Sequence, residues 1–503
     1  MEKAGRHYMV ADNLALNRFH EEKPIENPLS PTPLQYTSVS LSEVQYNKLR
    51  LEASAFNLNA KAAKSKVKHC LYGYVHLWGD GGLVKEAFYG NRKKRNYVDK
   101  TVIGSQGFIG SSEMLDINPR PLKFLIKTES SQFSVKEGCI LLSRSGTIGN
   151  VTFVNKTLSK LLVSEHAIRI EPIAFGGYIY SYLKTTIGKT LIKANTFGAV
   201  IDEIEPEHLK NIIIPDAPES IKQNIHELII TSYNLRDQSN DLIENAEKIL
   251  YQELQLPPIE DLKPTYFDKT VDLRNYTTRL SSLDLRLDCS YHVPICNSII
   301  DTLKKTAKNI LLCKDKAISD SIILPMRFKR TYVEGHEYGT KFIGGKHINE
   351  LNPTSEKYLS TTLHGTRLGR ELLLKENTIL ITRSGTIGKV SIVPKHWENW
   401  AANEHMIRVF PANKEIAGYL YCWLSTDYGL QFIQKHTYGA VVDEIDIHHV
   451  GDVEIPLLKN ELKQQEINNM VLQANDLRYQ AYLKEQEAIK MMDDVIEGKI
   501  IRF

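Results

Sequence analysis

The chain repeats itself, and that constrains its fold more than any other feature. Leu141-Leu-Ser-Arg-Ser-Gly-Thr-Ile-Gly149 recurs as Leu380-Ile-Thr-Arg-Ser-Gly-Thr-Ile-Gly388, a shift of 239 (383 − 144). Ser164-Glu-His-Ala-Ile-Arg-Ile170 recurs at the same shift as Asn403-Glu-His-Met-Ile-Arg-Val409. Phe197-Gly-Ala-Val-Ile-Asp-Glu-Ile204 returns as Tyr438-Gly-Ala-Val-Val-Asp-Glu-Ile445, shifted by 241 (438 − 197). Upstream, Leu49-Arg-Leu-Glu52 matches Leu285-Arg-Leu-Asp288 at 236 (285 − 49). Phe108-Ile-Gly110 and Asn118-Pro119 match Phe342-Ile-Gly344 and Asn352-Pro353, both at 234 (342 − 108, 352 − 118). Blocks that keep one order with slowly drifting spacing mark a tandem duplication.

Each copy ends in the same way. Ile212-Ile-Ile-Pro215 and Val453-Glu-Ile-Pro456 read as short buried strands stopped by proline. A long helical pattern follows each. Ile221, Ile225, Leu228, Ser232, Leu235, Ser239, Leu242, Ala246 and Ile249 step by fours and threes. So do Ile467, Met470, Ala474, Leu477, Ala481, Lys484, Ala488, Met491 and Val495. This is a heptad seam with small residues on both sides, so the two helices are expected to pack on each other. The alternative is two separate amphipathic helices, each lying on its own domain. The bodies mix β-branched runs with glycine turns, which predicts an α+β fold on curved sheets. The expected division is a loose proline-bearing arm (1–38; Pro24, Pro28, Pro31, Pro33), a domain (39–215), a helix (216–256), a linker (257–278, with Leu256-Pro-Pro-Ile259 and Lys263-Pro264 leading in), a second domain (279–456) and a second helix (457–503).

Composition mostly excludes. With 503 residues, 42% hydrophobic and 24% charged, the chain is long enough for several domains and too apolar to be disordered. No apolar run reaches the roughly 20 residues of a membrane span, and the first ten residues lack a signal-peptide core, so the chain reads as cytoplasmic. Six cysteines without a C-x-x-C pair argue against a zinc ribbon or a disulfide framework. A net charge of +3 is too balanced to indicate nucleic-acid binding by itself.

Local patterns carry the rest. Arg-Ser-Gly-Thr-Ile-Gly lacks the lysine and hydroxyl of a nucleotide-binding loop: Asn150 or Lys389, then Val151 or Val390, follow it. It reads as a strand and a tight turn, whose Arg144 and Arg383 either lock the fold or reach a phosphate. Ser145 and Thr147, with Ser384 and Thr386, sit on the same turns. Glu165-His166 with His208, and Glu404-His405 with His449, match no ligand signature and read as structural histidines. Asp202-Glu203 and Asp443-Glu444 read as solvated or capping carboxylates. No nuclease or methyltransferase motif is in register, so no catalytic centre and no metal site are expected. Arg92-Lys-Lys-Arg95 (Arg92, Lys93, Lys94 and Arg95) with Tyr97 aligns with Arg327, Lys329, Arg330 and Tyr332 at 235 (327 − 92). Cations beside an aromatic suit phosphate and stacking contacts. Residues identical in both copies cannot alone read two sequences. The base readers are therefore expected in 84–106 against 320–341, and in 120–134 against 354–373, the last being five residues longer (239 − 234) and carrying His364, Arg367 and Arg370.

Two variable domains alternating with two long helices, each entered through a hydrophobic strand ending in proline, resemble the specificity (S) subunit of type I restriction-modification enzymes. The resemblance rests on Leu209-Lys-Asn-Ile-Ile-Ile-Pro215 running into Ile221-Lys-Gln-Asn-Ile225, on Val450 to Pro456 running into Leu462-Lys-Gln-Gln464, on the Arg-Ser-Gly-Thr-Ile-Gly turns, and on the Arg50-Leu-Glu52 and Arg286-Leu-Asp288 openings. It covers about residues 39 to 500. It implies two target recognition domains, each reading half of a split, asymmetric duplex DNA sequence, and an antiparallel helix pair that spaces them. Two methyltransferase subunits would dock on that pair, with translocase-nuclease subunits joining for cleavage in anti-phage defence. S-adenosylmethionine would belong to the methyltransferase partners, and this chain would bind no cofactor. A helix of about 34 residues spans roughly 50 Å, or about 15 base pairs. The rival readings are a reader of the same type in a different defence or modification complex, a tandem scaffold for protein or RNA, and an unconventional nuclease.

Overall fold

The computed structural model describes residues 38–46, 56–197, 202–262, 277–283, 285–353, 357–439 and 442–499. The proline-bearing arm up to residue 37, the Leu49–Glu52 block and Lys263-Pro264 lie outside these. A short stretch ending at Leu58, with a helix at Leu41–Tyr46, forms one unit; residues from Asn59 onward form the other.

The larger unit shows the duplication strand by strand. The first copy holds β1 (Tyr74–His76), β2 (Val84–Phe88), β3 (Ser105–Ile109), β4 (Lys123–Ile126), β5 (Ile140–Ser143), β6 (Val151–Phe153), β7 (Leu162–Val163), β8 (Ala167–Pro172) and β9 (Ile213–Pro215). The second holds β10 (Asn309–Leu312), β11 (Ser319–Ile323), β12 (Tyr332–Val333), β13 (Gly339–Ile343), β14 (Tyr358–Ser360), β15 (Ile379–Thr382), β16 (Val390–Ile392), β17 (Ala401–Ala402), β18 (Met406–Pro411) and β19 (Glu454–Leu457). The sheet orders β2-β8-β5-β6 and β11-β18-β15-β16 are the same antiparallel plan, down to the register Leu141↔Arg169 and Leu380↔Arg408. The second sheets, β4-β3-β7 and β12-β14-β13-β17, share one parallel pairing, β3 with β7 and β13 with β17. The proline-bearing strands β9 and β19 pair with β1 and β10 in two-stranded ladders, where every strand is an edge and a missing N–H is tolerated; β19 runs one residue past Pro456, to Leu457.

Each domain then feeds a long helix, Glu219–Glu253 or Glu461–Ile496. The two run antiparallel. Ile221, Ile225 and Ile229 share a core with Ala488, Met492 and Val495, whereas Ala246 and Leu250 share one with Ile467, Val471 and Ala474. Each helix therefore starts in its own domain's core and ends in the other's, so neither domain has a complete core without both helices. Among the described residues no helix is long and apolar enough to cross a membrane.

The helix pair follows the expected heptad at Ile221, Ile225, Ser232, Ser239 and Ala246, and at Ile467, Ala474, Ala481, Ala488 and Val495. At the alternate positions the buried residues lie one step on. Ile229, Arg236, Ile243 and Leu250 replace Leu228, Leu235, Leu242 and Ile249. On the other helix, Val471, Arg478, Glu485 and Met492 replace Met470, Leu477, Lys484 and Met491. The displaced leucines flank the seam half-buried, and charged residues occupy its centre.

Domain helices dock on this pair through glycine. A Cβ at Gly177 would meet the His226 backbone at 2.8 Å, and one at Gly418 would meet the Asn468 carbonyl at 2.3 Å. The helix Gly176–Lys184 is also capped from outside: the Gly177 N–H donates to His226 Nδ1 at 3.0 Å. In the second copy Gly418 N–H donates to Asn468 Oδ1 at 2.8 Å. At Gly177 the long helix thus satisfies a donor that a helix start leaves open, and at Gly418 it bonds the backbone within the second turn.

Glu485 is the electrostatic centre of the assembly. Its carboxylate meets Arg236 of the other long helix at 3.0 Å, accepts from the Tyr180 hydroxyl, and lies 3.7 Å from Lys184 Nζ. Asn352 of the second domain donates to it at 3.4 Å. Burial would raise its pKa, but Lys184 and Arg236, with hydrogen bonds from Tyr180 and Asn352, hold it down to about 2. Its stabilising contribution is full above the ordinary carboxylate value near 4.5 and is lost as pH falls toward 2. A Glu485→Gln variant is therefore expected to be about 3 kcal/mol less stable than the parent at pH 7, with the gap closing between pH 4.5 and 2. Chemical denaturation across that range checks it; a gap independent of pH would contradict the charge network.

Candidate nucleic-acid interface

The twin turns come first, because both copies build them from the same atoms. β5 ends at Ser143, whose hydroxyl donates to the Thr147 carbonyl at 2.6 Å and accepts from the Asn150 N–H at 3.0 Å. Thr382 does the same with Thr386 and Lys389 at 2.6 and 3.0 Å. Gly146 and Gly385 take φ of +76° and +75°, a conformation that favours glycine. Gly146, Thr147, Gly385 and Thr386 are exposed at the turn tips. Ser145 lies 2.7 Å from His166 Nδ1, and Ser384 lies 2.7 Å from His405 Nδ1.

Arg144 and Arg383 face inward. Arg144 pairs with Glu203 at 2.9 Å and Glu205 at 2.5 Å, and lies 4.2 Å over the Tyr89 ring. Arg383 pairs with Glu444 at 2.6 Å and donates to the Ile445 carbonyl at 3.2 Å. Of the two roles open to these arginines, locking the turn to the following segment is the one this geometry performs. It also corrects the reading of Glu203 and Glu444, which are ion-pair partners rather than solvated or capping acids. The capping is done by Glu205 and Asp446, whose backbone N–H groups are met by His208 and His449. His166 and His208 therefore serve different partners, as do His405 and His449. Among the described residues no group of three or more His, Cys, Asp or Glu could hold a metal.

The basic strips split in the same way. Arg92, Lys93 and Lys94 are exposed and carry no ion pair among the described residues. Arg95 turns in to Glu165 at 2.5 Å and lies 5.0 Å over Phe108. Arg330 makes the equivalent pair with Glu404 and lies 5.5 Å over Phe342. Burial would raise the Glu165 carboxyl, yet its own backbone N–H and Arg95 hold it below the usual range; Glu404 is held down likewise, with Arg330 in that part. Outside this layer, Tyr97 packs on Phe108 at 6.3 Å and Tyr332 on Phe342 at 6.0 Å. Lys123 and Lys357 each lie 5.4 Å over those tyrosines. Lys329 is exposed, and exposed Arg327 reaches Glu444 only at 3.3 Å.

The longer segment of the second copy forms the helix Thr361–Arg367 and a π turn, Leu368–Leu372. Arg367 is spent on support. It donates to the Met326 carbonyl at 2.9 Å, meets Glu371 at 2.6 Å and lies 4.5 Å over Phe328. His364 accepts from the Thr331 N–H at 3.1 Å. Arg370 remains 69% exposed, with Glu371 at 3.2 Å.

Two pairs of residues escaped sequence reasoning. Lys123 and Lys357 were overlooked although they share a shift of 234 (357 − 123). Arg169 and Arg408 are fully buried in β8 and β18 with no carboxylate attached. Instead, they donate to backbone carbonyls, Arg169 to Val163 at 2.5 Å and Ala167 at 2.9 Å, Arg408 to Ala402 at 2.6 Å and Met406 at 3.0 Å. Burial lowers both, to about 10. Their signal was present in the repeated blocks: a charge among apolar strand residues, identical in both copies.

The site that results is two copies of a cationic, aromatic segment beside an exposed glycine turn, each braced from behind by buried ion pairs. The family model of the type I restriction modification DNA specificity domain matches the chain twice, over residues 85–247 and 328–474. The chain belongs to this family. It is a DNA sequence-specificity subunit with two recognition domains, and its part in restriction-modification is recognition rather than catalysis. No curated protein matches it closely. Among solved structures, the chain is similar to the type I restriction-modification S subunit from M. genitalium at 13% identity, over 86% of this chain and 97% of that one, with a TM-score of 0.32. It is also similar to the HsdS subunit from Thermoanaerobacter tengcongensis at 12% identity, over 85% and 97%, with a TM-score of 0.25.

Bracing and contact residues are separable by experiment. Arg95→Ala strands the buried Glu165 carboxylate and is expected to cost about 2–3 kcal/mol, whereas Lys94→Ala stays within about 0.5 kcal/mol of the parent. Urea denaturation of the two variants checks it; equal losses would contradict the division.

Proposed function

We propose that this chain reads a split, asymmetric duplex DNA target, one half per domain, within a cytoplasmic type I restriction-modification complex. Residues 39–215 and 279–456 serve as the two target recognition domains. The helices of 216–256 and 457–503 space them, with 1–38 an arm and 257–278 a linker. Two methyltransferase subunits dock on the helix pair and carry S-adenosylmethionine, and translocase-nuclease subunits join them for cleavage. The observation that carries this reading is the doubled cationic edge, the largely irregular segments Arg92–Tyr97 and Arg327–Tyr332, displayed twice on one braced frame.

Within that edge, Arg92, Lys93, Lys94, Arg327 and Lys329 supply phosphate contacts, and Tyr97 and Tyr332 supply apolar or stacking contact. Ser145, Thr147, Ser384 and Thr386 present hydroxyls from the turns. Arg370 is the exposed candidate for base readout in the longer segment. Arg95, Arg144, Arg330, Arg367 and Arg383 hold these groups in place from behind.

Two measurements test the proposal. Mapping modified bases in cells expressing the chain with its methyltransferase partner is expected to show a bipartite motif, and exchanging residues 39–215 for another recognition domain to change one half of it alone. Methylation that ignores the exchange, despite an intact complex, would overturn the reading. Separately, a variant with Ala at Arg92, Lys93 and Lys94 is expected to lower the slope of log affinity against log salt by about 2–3, since each phosphate contact contributes roughly 0.9. An unchanged slope would remove this strip from the interface.

A further inference from the structure

The repeated Asn-Pro segments have no part in the proposed DNA contacts, yet they meet each other. In each copy the carbonyl preceding the asparagine is pinned to its own side of the frame. Ile117 O accepts from Asn240 of the first long helix at 2.8 Å. Leu351 O accepts from Trp397 Nε1 at 3.2 Å and lies 2.8 Å from His396 Nε2. His396 in turn stacks on Tyr482 of the second long helix, with ring centroids 4.0 Å apart.

The two pinned segments then pair across the domain boundary. Ile117 N–H donates to Asn349 O at 2.9 Å, and Asp116 and Glu350 form an antiparallel bridge. The Asp116 carboxyl lies beside Asn349, while Glu350 is held by His347 at 2.7 Å. Three residues after Ile117, Arg120 donates to the Ser425 carbonyl of the second domain at 2.6 Å and pairs with Glu247 of the first long helix. Asn352 reaches Glu485, the carboxylate that also holds Tyr180 and Lys184 of the first domain. The domains are therefore joined directly, and not only through the helices.

This matters because spacing on DNA is a matter of both distance and phase. One added base pair moves the second half-site by about 3.4 Å along the axis and, at 10–10.5 base pairs per turn, by roughly 35° around it. A helix pair alone fixes a distance. The rotation of each domain about the pair is fixed by everything that docks it there, the contacts of Gly177 and Gly418 included, and the segment Asp116–Arg120 against Asn349–Asn352 and Ser425 is what ties the orientation of one domain directly to the other. Resting on the two-half-site reading above, we infer that this seam sets the phase of the two recognition domains, and that Asp116 and Arg120 are positioning residues selecting the number of base pairs between half-sites.

The test uses the full chain in complex with its methyltransferase partners and duplexes carrying the target mapped above, with spacers of the native length and one base pair longer or shorter. The parent complex is expected to lose about tenfold or more in affinity on either altered spacer. Asp116→Ala combined with Arg120→Ala removes the carboxyl at the bridge to Glu350 and the side-chain bonds to Ser425 and Glu247. It is expected to shrink that loss to about threefold or less, with native-spacer affinity changed by under about threefold. If the double variant does not assemble, Arg120→Ala alone serves with the same readout, since its side chain is partly exposed. A folded variant that keeps the parent's spacer penalty overturns the inference, as does a parent complex indifferent to spacer length. A parent complex that binds no bipartite sequence overturns the reading on which the inference rests, an outcome distinct from either.

Discussion

The Glu485 carboxylate is buried in the helix seam among Arg236, Lys184, Tyr180 and Asn352, and the arrangement of both domains depends on it. Two long helices with serine and alanine in their seam pack closely, but small residues alone leave their rotation and register weakly specified. A buried carboxylate that must satisfy Arg236, Lys184, Tyr180 and Asn352 at once permits few alternatives, because any slip leaves a charge unpaired in low dielectric. The position is also asymmetric. At the helix shift of 242 (478 − 236) its counterpart on the first helix is Ile243, so the duplicated chain carries one such centre rather than two. One carboxylate at a near-symmetric interface distinguishes the halves, as a duplicated protein must if its two domains are to read different sequences.

The helix seam shows why part of this could be foreseen and part could not. Alternating steps of four and three were correct, and every position occupied by an isoleucine, serine, alanine or valine on the first track was placed correctly. The second track was off by one residue because hydrophobicity was used to choose it: Leu235 and Leu477 are better apolar candidates than Arg236 and Arg478. Hydrophobic periodicity cannot find a seam whose centre is ionic, since the partner that makes burial of Arg236 affordable lies 249 residues away (485 − 236). The duplication itself, the proline-stopped edge strands and the α+β character were local or repeated patterns, and these were legible.

The candidate interface divides along a similar line. Which positions were functional or structural could be narrowed to matched cationic clusters, but not resolved within them, because Arg92 to Arg95 differ in direction rather than in chemistry. Arg95 and Arg330 turn inward because Glu165 and Glu404 wait behind the sheet, and those acids lie 70 and 74 residues downstream. Arg144 and Arg383 follow the same logic with Glu203 and Glu444. The arginines identical in both copies that turn inward, Arg95, Arg144, Arg330 and Arg383, do so because their carboxylate partners are repeated as well.

That pairing directs attention to what the copies do not share. If the identical arginines are consumed by bracing, discrimination between two half-sites falls to segments with no counterpart. The helix Thr361–Arg367 with its π turn is one, set in the second domain above the strip Arg327–Arg330. Its own Arg367 steadies that strip through Met326 and Phe328, while Arg370 stays outward. An insertion that stiffens the Arg327–Arg330 strip through Arg367 and carries an exposed Arg370, paired with its neighbour Glu371, makes the second domain differ from the first and leaves the frame shared by both domains intact. In a protein built by duplication, this is how two readers can diverge in sequence while the distance and phase between them stay fixed.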